Sequence, residues 1–284
     1  MTMTTTDTNT NTDITILVDN QAAQELTAEH GLALWIAAQG RHILFDTGQG
    51  PALPANARAL GVDLRTTSHL VLSHGHYDHT GGLAHVLQEA PHVHVYCHPA
   101  VVQPRYSKRQ EGPKGIHMPG DARGALGHVP EKQLHWVGEA TFIAKAVGLT
   151  GPIPRRTPFE DTGGPFFLDP GVRHPDPIED DMALWIATEG GLVICVGCCH
   201  AGIINTIDHI RRLSGMARIR ALIGGLHLVN AGPRRLTKTV ETLAALPIDK
   251  VVACHCTGEA AFEALGMALG DRFVRGEAGG TYRF

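Results

Sequence analysis

Ser73-His74-Gly75-His76-Tyr77-Asp78-His79-Thr80-Gly81-Gly82 follows directly on an apolar, strand-like run at 68–72 (SHLVL) and leads into a helical pattern at about 80–90. Three histidines and one aspartate fall within six residues, a density that the chain's own composition does not give by chance. Imidazole and carboxylate are donors that suit Zn, Mn, Fe or Co. A sharp strand-to-helix loop can turn alternate residues toward one point. The spacing i, i+2, i+4, i+5 therefore lets one loop serve two ions, His74 and His76 on one, Asp78 and His79 on the other. The competing reading is a solvated His-rich turn.

Outward from this segment, apolar runs with β-branched residues predict strands at about 13–18, 32–38, 41–46 and 93–97, with a helix at about 51–60. Order returns in the last third, with strands near 182–188, 191–197, 218–223 and 249–254 and helices near 203–215, 233–246 and 258–269. Between these lies a loop-rich insertion at about 99–182, with strands expected only near 132–147 and a Pro- and Gly-rich stretch after them. Loops this long are commonly lids or binding loops. Residues 1–12 (MTMTTTDTNTNT) read as a disordered tail, and 13–284 as one domain. There is an internal echo: Ala33-Leu34-Trp35-Ile36-Ala37 recurs as Ala183-Leu184-Trp185-Ile186-Ala187, each followed by Gly, a second apolar strand, a polar turn and a helix. Two halves of ββαβ type would place their polar turns at one common edge.

Composition narrows the classes. The 284 residues are 43% hydrophobic and 18% charged, enough for a sizeable core, which excludes a disordered or fibrous chain. A net charge of −4 offers no attraction to nucleic acid or to an anionic membrane. No apolar run approaches the roughly 20 residues needed to span a bilayer, and no secretion signal is evident, so a cytoplasmic protein is expected. Six cysteines, four of them in Cys198-Cys199-His200 and Cys254-His255-Cys256, read as reduced thiols, with metal binding as the sharper use.

The signature resembles the His-x-His-x-Asp-His motif of the metallo-β-lactamase superfamily. The resemblance covers about 13–284 and looks nearest to the subgroup of 7,8-dihydropterin-6-methyl-4-(β-D-ribofuranosyl)aminobenzene-5'-phosphate synthase-like proteins. It is carried by Leu17-Val18-Asp19-Asn20, Glu29-His30-Gly31, LFDTGQG (44–50), LSHGHYDHTGGL (72–83), IPR (153–155), GCCHAGIINTI (197–207), GGLHL (224–228) and HCTG (255–258). It implies an α/β fold: a four-layer αββα sandwich of two similar halves with two divalent metal ions at one edge, zinc first and manganese or iron next. It is a weaker guide to substrate, because one scaffold hosts many reactions.

Later ligands are sought among three strand-end histidines, His200, His227 and His255. By resemblance His255 takes the place of the final His ligand, while His200 lies near a position usually held by a bridging carboxylate. Both are assigned to the metals, with His227 as a third ligand or as the acid for a leaving group. None of His117, His128, His135 or His174 has a context that marks it as the superfamily's remaining His ligand. Asp46 is expected to orient a metal-bound His rather than bind metal. Cys198, Cys199, Cys254 and Cys256 flank the ligands, as a thiolate donor or as buried filler. Arg155 and Arg156, with Arg105, Lys108 and Arg109 upstream, can bind an anionic substrate; the resemblance implies that Glu29 and His30 face the site, whereas the residues alone read as surface polar groups. The function expected is a metal-dependent hydrolase using a metal-activated water on a phosphodiester, ester or lactone of an anionic small molecule, with Asp78 as ligand and candidate proton acceptor. The alternatives are pterin-type transfer displacing pyrophosphate and a metal-binding regulatory protein without turnover. The missing Walker loop, dinucleotide fingerprint and serine-nucleophile motif remove those enzyme classes.

Overall fold

The computed structural model describes residues 11–284. The first part runs β1 (Asp13–Val18), β2 (Ala33–Ala38), β3 (Arg41–Phe45), α1 (Ala52–Ala59), β4 (His69–Val71), α2 (Tyr77–Thr80), α3 (Leu83–Glu89) and β5 (His94–Cys97). The middle adds the hairpin β6 (Tyr106–Arg109) and β7 (Gly112–Gly115), α4 (Gly120–Gly127), β8 (Leu134–Trp136), β9 (Thr141–Ala144), β10 (Val147–Leu149) and β11 (Phe166–Phe167). The last part is β12 (Leu184–Thr188), β13 (Gly191–Val196), α5 (Ile203–Ser214), β14 (Ile219–Gly225), α6 (Pro233–Ala245), β15 (Val251–Cys254), α7 (Glu259–Leu269), β16 (Phe273–Arg275) and β17 (Thr281–Arg283).

Alternation within the strands dictates the layers. In β2, Leu34 and Ile36 face a core shared with Leu184, Ile186 and Val193, while Trp35 faces the opposite way, onto α1 and α3 residues such as Leu53 and Val86. In β12, Leu184 and Ile186 enter the shared core and Trp185 packs with Ile203, Ile207 and Leu243 under α5 and α6. Each such Leu or Ile contributes about 1.5–3 kcal/mol by leaving water. The result is helices, sheet, sheet, helices. The sheets are β17-β1-β2-β3-β4-β5-β8 and β16-β15-β14-β13-β12-β10-β9.

The five-residue echo is an echo of topology. β2 pairs antiparallel with β3, which runs parallel to β4; β12 pairs antiparallel with β13, which runs parallel to β14. Trp35 sits opposite Leu44 and Trp185 opposite Ile194, the same register in each half.

Departures from the expectation concentrate in the middle and at the end. The strands expected near 132–147 form as β8 in the first sheet and β9 and β10 in the second, and beyond them β11, β6 and β7 form an unexpected three-stranded sheet of their own. The helix α4 lies in the stretch 99–182 too, with Ala122 and Leu126 buried. The helix expected at about 80–90 forms as α3, with the short α2 ahead of it inside the signature; a Cβ at Gly81 would stand 2.1 Å from the Gln49 carbonyl oxygen, so the glycine lets the loop after β3 pass close by. Of the expected tail 1–12, residues 1–10 lie outside the described residues. Thr12 is buried and exchanges backbone hydrogen bonds with Phe284 at 3.0 and 2.9 Å. Among the described residues no helix is long and apolar enough to cross a membrane.

Candidate metal centre

In open α/β sheets, the loops beyond the carboxyl ends of parallel strands gather at one edge. Here those loops carry Asp46 after β3, the signature after β4, Cys198–His200 after β13, His227 after β14 and His255 after β15. Several of these residues turn sharply: φ is +62° at Asp46, +60° at Cys199, +43° at His227 and +54° at His255. Such a backbone costs a non-glycine residue of order 1–3 kcal/mol and persists only where the surroundings fix it. Gly197 brings the halves together. A Cβ there would lie 2.1 Å from Ser73 Oγ and 2.9 Å from Asp46 Oδ2, so its absence lets the end of β13 press on the signature loop.

Hydrogen bonds then fix each imidazole from behind. Asp46 Oδ1 accepts from the Ser73 N–H, and Oδ2 accepts from Ser73 Oγ–H and His79 Nδ1–H, each at 2.7 Å. His74 Nδ1–H donates to Ser73 Oγ at 2.9 Å, and His200 Nδ1–H to the Thr162 carbonyl at 2.8 Å. His255 Nδ1–H donates to Asn20 Oδ1 at 2.9 Å, while its backbone N–H donates to Asp19 Oδ1 at 2.7 Å. These tautomers follow from the network. They leave Nε2 of His74, His79, His200 and His255 directed inward.

Burial keeps the imidazoles of His74, His76 and His200 neutral, with pKa values well below the ordinary one, and presses His255 down to about 4. Neutral rings are what metal coordination needs. His74 Nε2 faces His76 Nδ1 at 3.0 Å, and His79 Nε2 faces His255 Nε2 at 3.2 Å. Each pair shares a proton at that distance, with His79 Nε2–H donating to His255 Nε2, and a bound metal ion would take that proton's place. Buried His76 Nε2 and His200 Nε2 have no hydrogen-bond partner. At His79 burial opposes a charge, but Asp46 and Asp78 outweigh it and raise the pKa to about 9. Burial also opposes ionisation of Asp78, yet His79, the hydrogen bond from His30 and His255 hold its carboxyl well below the usual range. The pocket thus favours positive charge among neutral nitrogens and one carboxylate, the environment of a divalent cation. The donors of His74, His76 and His200 converge within 4.8 Å, as do those of His30, Asp78 and His255.

The remaining expected residues divide. His30 Nε2 lies 3.2 Å from Asp78 Oδ2, so this half-exposed ring belongs with the site. Glu29 is committed to the backbone: its carboxylate accepts from the N–H of Gln49, Gly50 and Ala52 at 2.8–3.1 Å and holds the loop before α1. Arg155 is spent on the carbonyls of His200, Pro177 and Ile178, and so steadies the His200 loop instead of offering charge to a ligand. Arg156 is exposed beside His209, whose pKa it helps to lower. Arg105 is fully buried between Asp176 and Asp180, and Asp180 in turn accepts from the Gly75 N–H of the signature at 2.8 Å. His227 packs 4.2 Å from the His200 ring, its Nδ1 buried and without partner. Cys199 turns to Thr206 and Cys254 lies in the core between the sheets, whereas Cys198 and Cys256 stand at the site. None of His117, His128, His135 or His174 shares a group of converging donors among the described residues; His200 completes the set with His74 and His76.

Three contributors escaped the sequence reading. Asp19 and Asn20 clamp His255, and their signal was the LVDN segment, which carried resemblance without a role. Phe166, from the Pro- and Gly-rich stretch, packs 5.3–5.9 Å from the rings of His76, His200 and His227 as an apolar wall. No local pattern announces it.

Known proteins share this architecture. The chain is 30% identical over 270 residues to the 7,8-dihydropterin-6-methyl-4-(beta-D-ribofuranosyl)-aminobenzene-5'-phosphate synthase of Methanocaldococcus jannaschii, covering 90% of each. The crystal structure of a metal-dependent hydrolase of the beta-lactamase superfamily superposes with a TM-score of 0.80 at 28% identity, over 95% of this chain and 98% of that one. Zn(2+)-bound PqqB from Methylobacterium extorquens shares the fold at a TM-score of 0.59 and 14% identity, over 95% and 99%. The sequence profile of the metallo-beta-lactamase superfamily matches residues 26–255, and with the four layers and the edge site described above, the chain belongs to that superfamily.

Proposed function

We propose that the protein is a metal-dependent hydrolase acting on a phosphodiester, ester or lactone of a small anionic molecule. Two divalent ions, zinc first with manganese or iron as alternatives, are held by His74, His76 and His200 and by Asp78, His79 and His255. The observation that carries this reading is the facing pair of His79 and His255 nitrogens at 3.2 Å, each ring held from behind through Nδ1 so that Nε2 points inward. A divalent ion bound there supplies Lewis acidity, lowering the pKa of water and polarising an acyl or phosphoryl oxygen.

The chain's own groups do the rest. Asp78, steadied by His30, is a proton acceptor beside the reacting centre, and His227, tilted against the His200 ring with an unpartnered buried nitrogen, is the acid for the leaving group. Phe166 keeps bulk water from the rings. With Arg155 and Arg105 engaged elsewhere, the cations left for an anionic substrate are exposed Lys108, Arg109 and Lys114 on the β6–β7 hairpin, where the Lys114 ammonium lies 5.1 Å over the Tyr77 ring. Six free, buried cysteines suit a reducing compartment, and the cytoplasm is the proposed location.

Pterin-type transfer is the second reading, favoured by the name of the Methanocaldococcus jannaschii relative. The hairpin cations would then meet a diphosphate leaving group. The test is to count metals in the wild type and in His76→Ala and to screen both against phosphodiester, phosphomonoester, lactone and pterin-pyrophosphate substrates. The wild type should carry one to two ions per chain and turn over one class, and the variant should lose roughly 100-fold or more. A wild type that binds no transition metal overturns the proposal.

A further inference from the structure

We propose that Cys198 supplies a thiolate shared between the two groups of metal donors. The inference rests on the metal-site reading above and deepens it by naming what joins its two halves.

Cys198 Sγ lies 3.1 Å from His79 Nε2 in a wholly buried position. Its sulfur converges within 4.8 Å with His74 and His79, with His200 and His227, and with His255 and Cys256. It therefore reaches nitrogens of the first group (His74, His200) and of the second (His79, His255), which otherwise have no donor in common. His200 Nε2, buried and unpartnered, belongs to one of these sets and points to a ligand there independently of the cysteine.

The neighbouring carboxylates stand outside the converging donor groups. Asp46 is turned to Ser73 and the back of His79, Asp19 accepts from the backbone N–H of Gln21 and His255, and Asp181 accepts from the Ala201 N–H through Oδ2 while its buried Oδ1 has no partner. Asp78 faces His30 and His255, at 3.2 and 3.5 Å. Charge gives the same answer. Ions of charge +2 placed among neutral imidazoles in a buried pocket, with Asp78 as the carboxylate among the donors, need further negative charge, and a thiolate between them provides it without desolvating another carboxylate. Cys256 joins one converging donor group where Cys198 joins three, and Cys199 is turned to Thr206. Gly197 sets the placement: its close approach to Ser73 and Asp46 carries the next residue into the space between the two groups.

The experiment loads the full chain with Co(II) and follows thiolate-to-cobalt charge transfer in the near ultraviolet. The band should grow through the uptake of both equivalents, vanish in Cys198→Ser, persist in Cys256→Ser, and be absent from a Cys198→Asp variant that still takes up metal. Affinity for the second equivalent should fall by about 10- to 100-fold or more in Cys198→Ser. X-ray absorption on the zinc-loaded wild type, which needs no variant to fold, should count one sulfur neighbour for every zinc. Metal uptake with no sulfur signal, a signal that follows Cys256 instead, or half a sulfur per zinc overturns the shared thiolate while leaving the metal site intact. Failure to bind any metal overturns the site reading and this inference together.

Discussion

At the scale of single residues, the centre depends on groups that hold ligands as much as on the ligands. Asp46 does three things with two oxygens, fixing the Ser73 backbone, the Ser73 hydroxyl and the His79 ring. An Asp46→Asn variant keeps the volume but exchanges one acceptor oxygen for a donor, so the His79 ring loses its anchor or Ser73 does. Metal affinity should fall by about 10- to 100-fold, the usual cost of losing a ligand's hydrogen-bond partner, and activity should return at high metal concentration. A metal titration followed by activity checks this; an unchanged midpoint would show that Asp46 does not orient the ligand. The contact of Asp46 with the signature was legible in sequence because Asp46 ends a strand just ahead of it. Glu29 and Arg155 were not legible, because the backbone groups they hold lie about 20 and 45 residues away along the chain.

At the scale of elements, β4 and β5 carry a second group of rings remote from the metal donors. His69 stacks with His94 and Tyr96, and His135 of β8 lies 4.3 Å from Tyr96 and donates to or accepts from His94 at 2.9 Å. Burial, then the charges of Arg41, His94 and His135, lower the His69 pKa from 6.5 to about 4. Between those values the unfolded chain binds this proton and the folded one does not. Stability from this group is therefore complete above about pH 6.5 and is lost as the pH falls toward 4. Thermal midpoints measured from pH 7 to 4 should drop less steeply in His69→Gln than in the wild type, and parallel curves would refute the assignment. Strand existence in this region follows from β-branched apolar runs, whereas the β6–β7 hairpin, α4, β16 and β17 lack that pattern. They are short, and partners elsewhere in the fold stabilise them: β17 exists because β1 presents a free edge, with Asp13 opposite Arg283.

At the scale of the whole molecule, the site is where two similar halves meet. His74, His76, Asp78 and His79 come from the first sheet's loops, and His200 and His255 from the second's. A bound ion would tie the sheets together and should stabilise the entire fold. Zinc at about 100 times its dissociation constant would add about 2.7 kcal/mol, or roughly 5–10 °C for a chain of this size. Chelator should reverse the gain, and His255→Ala should abolish most of it. A melting curve indifferent to saturating zinc would mean that the two halves are not bridged by metal.

The sequence by itself determined the two-half plan and the edge at which the chemistry gathers, and its resemblance to the superfamily implied the four layers. The plan follows from the repeated ALWIA hairpin, and the edge from a motif whose residues lie within one loop and so keep their spacing however the chain folds. Only the tertiary structure decided that His200 joins His74 and His76, that Asp19 and Asn20 clamp His255, that Arg105 and Arg155 brace loops instead of meeting ligand, and that Cys198 lies between the donor groups. These are contacts between segments far apart in sequence, and they depend on close approaches such as Gly197 against Ser73 that arise only once both sheets have packed.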